Sequence, residues 1–326
     1  MSKQKKSFSG WNLLWLIPLA ILTAIGVMMY AVPAFERVNG AQVEGSASWM
    51  QALPDETPLS QVVLPGTHDS ATEFVQLAYF SKCQALSIRG QLDAGFRYLD
   101  IRLDDSEEMA LMHGFTHCTV SGWPWAKPLL LESVLSDCYA FLRENPSETV
   151  LFCVKHEHGD ETDAVFAERL SKLIEAESGL WYAGEGIPTV GEARGKLVLL
   201  KRFEDDGKLP GLTFNWSDQG GYDDPVKNTE ANGNPALTLW VQDRYEYEAD
   251  EKWTAFTGGI AAGETSAEAV LLNFLSTKGH AKYGHPYKYA PGLNEKLGAA
   301  GALNGWIIVD FGSAELAKTI YDINFR

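Results

Sequence analysis

Eight polar residues carry the clearest chemistry in the chain: His68, Asp69, Arg102, His113, Lys155, Arg202, Asp243 and Asp310. Two histidines with carboxylates in reach suit a reaction that takes one proton and gives another. A neutral imidazole accepts from a nucleophile, while a protonated one donates to the leaving group. A carboxylate beside each ring fixes its tautomer and raises its basicity. A guanidinium such as Arg102 presents paired N–H donors to a non-bridging phosphate oxygen. Together these groups point to phosphoryl transfer without an obligatory metal.

The elements that must position them are short apolar runs. Strands are expected over Gln61–Leu64, Arg97–Leu103, Ala110–His113, Val150–Lys155, Leu197–Arg202, Leu237–Asp243 and Trp306–Phe311, rich in Val, Ile and Leu as in strands buried on both faces. Helices are expected over Leu130–Asn145, Thr162–Glu177, Ala267–Leu275 and Ser313–Tyr321. Alternation of this kind over residues 49–326 predicts an α/β fold, a TIM-like (β/α)8 barrel, distorted or incompletely closed. All eight polar residues fall at or just after the C-terminal end of a predicted strand, where the mouth of such a barrel lies. One charge there is an ordinary loop residue; eight at successive strand ends are not.

The formal net charge is −16, and residues 1–34 hold three lysines and no acid, which leaves −19 on the remainder. So acidic a body excludes a nucleic-acid backbone as partner and strong adsorption to anionic lipid. A basic segment with Lys3, Lys5 and Lys6 (1–10) precedes an uncharged run, and residues 11–34 are expected to form a transmembrane signal-anchor, with 35–48 as linker. The run is longer than the roughly 7–15 residues of a cleavable h-region, and Pro33 sits badly for cleavage. An uncleaved anchor is therefore favoured over a secreted form, with the catalytic domain outside the cytoplasm. In that compartment Cys83 pairs with Cys118 or Cys138 are permitted, while Cys153 reads as a buried thiol.

The stretch LPGTHDSAT (64–72), followed by QALSIRGQLDAGFRYLDIRL (84–103), MHG (112–114), FLRENPSETVLFCVKHE (141–157), KLVLLKRF (196–203), VQDRY (241–245) and WIIVDF (306–311), resembles the bacterial phosphatidylinositol-specific phospholipase C (X domain) family. The resemblance implies a lyase that yields diacylglycerol and inositol 1,2-cyclic phosphate. It makes His68 the general base with Asp310 as its partner, and His113 the general acid assisted by Asp69. Arg102 stands where calcium-dependent relatives place their metal, so no cofactor is expected. Lys155, Arg202, Asp243 and Tyr245 look like the residues that hold the inositol ring, although Glu157 and Glu204 offer Lys155 and Arg202 nearby ion pairs. Asp100 shares a strand face with Arg102 and is placed to orient it.

Trp123, Trp125, Tyr79 and Phe80 are candidates for dipping into a lipid interface, or for packing loops against the barrel. His156 and His158 share a strand face but lack a third metal ligand at obvious spacing. The expected partners are an inositol phospholipid and a membrane, with the chain a monomer. Two other readings compete. A metal-dependent glycerophosphodiester phosphodiesterase needs an HRG opening, where this chain has THDS. A non-catalytic lipid- or glycan-binding relative would have lost a histidine or the arginine, and none is missing.

Overall fold

The structure is a computed structural model that describes residues 10–31, 42–123, 125–184, 186–220, 227–230, 237–281 and 284–326. The strands are β1 (Leu64–Thr67), β2 (Tyr98–Asp104), β3 (Met112–His113), β4 (Thr116–His117), β5 (Val150–His158), β6 (Leu197–Arg202), β7 (Leu212–Thr213), β8 (Lys227–Glu230), β9 (Thr238–Gln242), β10 (Ala269–Phe274) and β11 (Trp306–Val309). The helices are α1 (Gly10–Ala31), α2 (Ala78–Ser81), α3 (Ile88–Asp93), α4 (Leu131–Glu144), α5 (Asp163–Glu175), α6 (Val190–Ala193), α7 (Ala249–Ala262), α8 (Pro286–Gly298) and α9 (Ala314–Tyr321).

One sheet of nine strands runs β7-β6-β5-β2-β1-β11-β10-β9-β8, and β3 with β4 forms a separate hairpin. Every pairing in the large sheet is parallel except β8 with β9. Eight parallel strands thus curl into a TIM-like barrel whose wall has two ends, at β7 and β8, that among the described residues are not hydrogen-bonded to each other. The expected incomplete closure is what the sheet shows.

Residues two apart on a strand share a face, and this period places the site. Tyr98, Leu151, Cys153, Val198, Leu200, Leu239, Val241, Trp306 and Ile308 lie in one buried apolar cluster. Continuing each strand by twos leads from Tyr98 through Asp100 to Arg102, from Cys153 to Lys155 and Glu157, and from Leu200 to Arg202. The same step leads from Val241 to Asp243 and from Ile308 to Asp310. The apolar residues fill the barrel and the polar ones emerge at its mouth. At the opposite end Arg97 and Glu148 form a fully buried pair, Arg97 Nη2 to Glu148 Oε2 at 2.8 Å.

The structure departs from the sequence reading at four points. Ala267–Leu275, expected to be a helix, contains β10, whose six residues are all buried; a short apolar run of this kind has no period that separates a buried strand from a buried helix. The first strand is Leu64–Thr67 rather than Gln61–Leu64, since Leu59–Gln61 forms a 3-10 turn that turns the chain into the sheet. All four cysteines are free and buried, so no disulfide forms. At the N-terminus the uncharged run is helical over Gly10–Ala31, with side chains described over 14–27. Among the described residues no helix is long and apolar enough to cross a membrane, so the spanning helix expected over 11–34 does not follow from the structure. Residues 1–9 and 32–41 lie outside the described residues.

Candidate active site

β1 delivers the first imidazole. Thr67 ends the strand, and its hydroxyl is held by Ser70 and Gln91, each at 2.7 Å. The next two residues then leave the sheet. Asp69 adopts a left-handed backbone, φ +42°, and Phe311, just after Asp310, does the same at φ +49°. Non-glycine residues at positive φ are uncommon and store strain. Here one sits in each of the two loops that face each other across the β1–β11 ladder.

The side chains meet closely. His68 Nδ1 lies 2.8 Å from Asp310 Oδ1, and its Nε2 lies 3.2 Å from Asp69 Oδ2. On the other side of Asp69, His113 Nε2 is 3.4 Å from the same Oδ2. His113 Nδ1 is 2.7 Å from the Ser81 carbonyl oxygen, so Nδ1 donates there and Nε2 faces the cavity. One carboxylate therefore stands between two imidazoles whose outer nitrogens are both anchored. Arg102 Nε reaches Asp69 Oδ1 at 2.9 Å, its Nη2 reaches Asp100 Oδ2 at 2.9 Å, and Nη1 lies 3.5 Å from Glu157 Oε1. Asp100 thus orients the arginine, as its strand position suggested.

Electrostatics follow from this crowding. Burial works against a charge on His68, but Asp69 and Asp310 outweigh it and push the imidazole up to about 9. Burial pushes Asp310 up, with His68 pulling the other way; at neutral pH the proton of this pair belongs to His68, whose shift the two carboxylates drive. Burial raises Glu157 while Arg102 and Lys155 lower it further, to about 2. Asp100 falls well below the ordinary carboxylate range: burial opposes this, but the charge of Arg102 prevails.

These groups floor a cavity of about 670 Å³. His68, Arg102, His113, Lys155, Arg202, Asp243, Tyr245 and Asp310 all line it, while Asp69 lies beneath, 2 % exposed. Lys155 pairs with Glu157 at 2.5 Å. The guanidinium carbon of Arg202 lies 3.5 Å from the centre of the Trp216 ring. Trp216 in turn donates from Nε1 to Asp243 Oδ2 at 3.1 Å, and so holds two of the expected ring-binding residues at once. Sequence reasoning missed Trp216, which sits in a loop stretch with no periodic signal. It also missed Gln84, whose amide donates to the carbonyls of His68 and Val309 and ties the two catalytic loops together. Ser276 Oγ is buried at the cavity and has no hydrogen-bond partner among the described residues.

The four aromatic candidates separate. Trp123 and Trp125 are 68 % and 82 % exposed, with ring centroids 6.2 Å apart. Tyr79 and Phe80 are half-buried and pack with His285, Phe80 also lining the cavity. Phe115, 66 % exposed and on the cavity rim, was not anticipated. His156 is taken by Asp163, Nδ1 to Oδ1 at 2.8 Å.

A parallel barrel with two anchored imidazoles around one carboxylate, backed by a guanidinium, defines a phosphodiesterase built for acid–base chemistry. Residues 56–203 match the model of the phosphatidylinositol-specific phospholipase C, X domain. A 1-phosphatidylinositol phosphodiesterase of Listeria monocytogenes is 30% identical over 302 residues, covering 85% of this chain and 84% of that protein. One of Staphylococcus aureus is 26% identical over 303 residues, 85% of this chain and 94% of that protein. The solved structure of an S. aureus phosphatidylinositol-specific phospholipase C variant superposes with a TM-score of 0.70, at 25% identity, over 85% of this chain and 98% of that one. The chain belongs to the phosphatidylinositol-specific phospholipase C family.

Proposed function

We propose that the cavity receives the headgroup of an inositol phospholipid and that the enzyme cleaves it to diacylglycerol and inositol 1,2-cyclic phosphate. The observation that carries this reading is the shared carboxylate: both imidazole Nε2 atoms face Asp69, and each ring is fixed through Nδ1. His68, once neutral, takes the proton of the inositol 2-hydroxyl, and that oxygen attacks phosphorus. His113 gives its Nε2 proton to the glycerol oxygen as the P–O bond breaks. Arg102 faces a non-bridging oxygen of the phosphodiester, and Asp69 and Asp310 position the rings. Lys155, Arg202, Asp243 and Ser276 offer partners to ring hydroxyls, with Tyr245 as a stacking face. Because Arg102 occupies the place of a cation, the reaction is proposed to need no calcium.

Turnover with phosphatidylinositol in mixed micelles, followed by phosphorus NMR with and without excess EDTA, tests this. A cyclic phosphodiester product that persists in EDTA is expected. His68→Asn and His113→Asn are each expected to lower turnover roughly 10²–10⁴-fold, and Arg102→Ala roughly 10²–10³-fold. Loss of activity in EDTA, or near-normal turnover in either histidine variant, overturns the mechanism.

Contact with the membrane surface is proposed through exposed Trp123 and Trp125, because indole rings favour the boundary between water and hydrocarbon. The double variant Trp123→Ser, Trp125→Ser is expected to sediment less with phosphatidylcholine vesicles while its activity on a short-chain soluble substrate stays. Unchanged sedimentation removes them from the interface. Retention at the cell membrane with the barrel outside the cytoplasm rests on Lys3, Lys5, Lys6 and the uncharged run after them, with secretion after cleavage as the other outcome of a fractionation.

A further inference from the structure

We infer that the catalytic centre is also a binding site for a thiophilic divalent cation of the Zn²⁺ type, formed by His68, Asp69 and Cys83, and that its occupation switches the enzyme off. The binding rests on geometry alone; the inhibition rests on the proposed role of His68.

Cys83 has no part in the reaction, yet its sulfur lies 4.0 Å from Asp69 Oδ2. One ligand atom from each of His68, Asp69 and Cys83 falls within 4.8 Å of the others. Around a tetrahedral zinc ion, bonds of about 2.0–2.3 Å place ligand atoms roughly 3.3–3.6 Å apart. His68 Nε2 is already 3.2 Å from Asp69 Oδ2, so the thiol has to close in on that pair, and solvent completes the four ligands.

The backbone keeps the sulfur there. The Cys83 N–H donates to Thr72 Oγ1 at 3.0 Å, and its carbonyl accepts from the Phe311 N–H at 2.7 Å. The outer nitrogen of His68 is that of a zinc site as well. A metal-bound histidine gives its other N–H to a carboxylate or carbonyl oxygen, and here Asp310 occupies that place.

Charge favours the ion. Asp69, Asp100, Glu157 and Asp310 face three cations, Arg102, Lys155 and Arg202, so the pocket floor carries −1 once His68 has released its proton. Hard cations such as calcium want six to eight oxygen ligands, which this mixed N, O, S set does not offer. Zinc takes four. On binding, the Cys83 S–H proton and the proton held by His68 pass to solvent, and no electron moves. The His68 Nε2 lone pair then belongs to the metal and accepts nothing from a substrate hydroxyl.

The test titrates the metal-free full chain with Co²⁺ as a spectroscopic probe. One equivalent is expected to give a thiolate-to-cobalt band in the near ultraviolet, displaced by Zn²⁺. The band should vanish in Cys83→Ser and Cys83→Ala and survive in Cys118→Ser. Zn²⁺ should inhibit phosphatidylinositol cleavage and a chelator should restore it. In Cys83→Ser, with basal activity retained, half-inhibition should need at least the roughly 10–100-fold more zinc that losing a mere supporting partner costs a metal site. A wild-type chain without the band, or a band that persists without Cys83, overturns the inference. The cobalt readout needs no substrate, so it stands or falls apart from the activity.

Discussion

His68 is the residue on which most of the chemistry turns, and its proton affinity is testable by itself. The folded chain holds its proton up to about pH 9, whereas the unfolded chain releases it near 6.5. Between those values the native state binds more protons, so this stabilisation is complete below pH 6.5 and is lost as pH rises to about 9. The difference in unfolding free energy between wild type and His68→Asn should therefore shrink across that window, by on the order of 3 kcal/mol. In Asp310→Asn one of the two raising carboxylates is gone, and the His68 imidazole should titrate at a lower pH by NMR. A His68 titration unmoved by that change would assign the shift to Asp69 alone. At this scale the sequence was readable where chemistry demands rare types together: the two histidines, Arg102, Asp243 and Asp310 all reach the cavity, with Asp69 directly beneath it. Trp216 and Cys83 were not readable, because a lone tryptophan in a loop and a lone thiol acquire meaning only from what the fold brings against them.

At the scale of the element, period two does the positioning. Arg102, Lys155, Arg202, Asp243 and Asp310 each continue outward a row of buried side chains on their own strands, which explains why short Val, Leu and Ile runs ending in charge mark the mouth, while His113 comes from the separate β3–β4 hairpin. β1 shows how tightly this wall is built. A Cβ added at Gly66 would lie 2.5 Å from Ile308 Cδ1 and 2.7 Å from Tyr98 Cβ, and the latter atom moves only with its backbone. Gly66→Ala should cost about 1–3 kcal/mol, as overpacked cores do. It should also lower turnover by displacing His68 two residues on; unchanged thermal unfolding would mean that β1 has slack the distances do not show. β10 escaped sequence reading for the reason that β5 did not. Val150–His158 ends in alternating charge that declares a strand, whereas Ala269–Phe274 is buried throughout and declares nothing.

For the whole molecule, the two ends of the barrel divide the work. The mouth gathers charge for the reaction, and the base gathers charge for stability. Arg97 at the foot of β2 donates to Glu148 and to the carbonyls of Leu92, Phe96, Ser46 and Ala47. Glu148→Ala leaves that guanidinium buried and unpaired, a loss of roughly 3–5 kcal/mol, while turnover of the chain still folded at low temperature should stay near wild type. An equal fall in turnover would show that the base and the mouth are coupled. The strand order carries one more consequence. From β7 to β1 the wall is built from residues 64–213, and from β11 to β8 from residues 227–309, so the enzyme is two half-cylinders laid side by side along the β1–β11 ladder. His68 belongs to one half and Asp310 to the other, and their contact is a clasp across the join. A slight change in the angle between the halves would open that clasp before it disturbed either wall, which makes the His68–Asp310 contact a gauge of how firmly the two halves are closed.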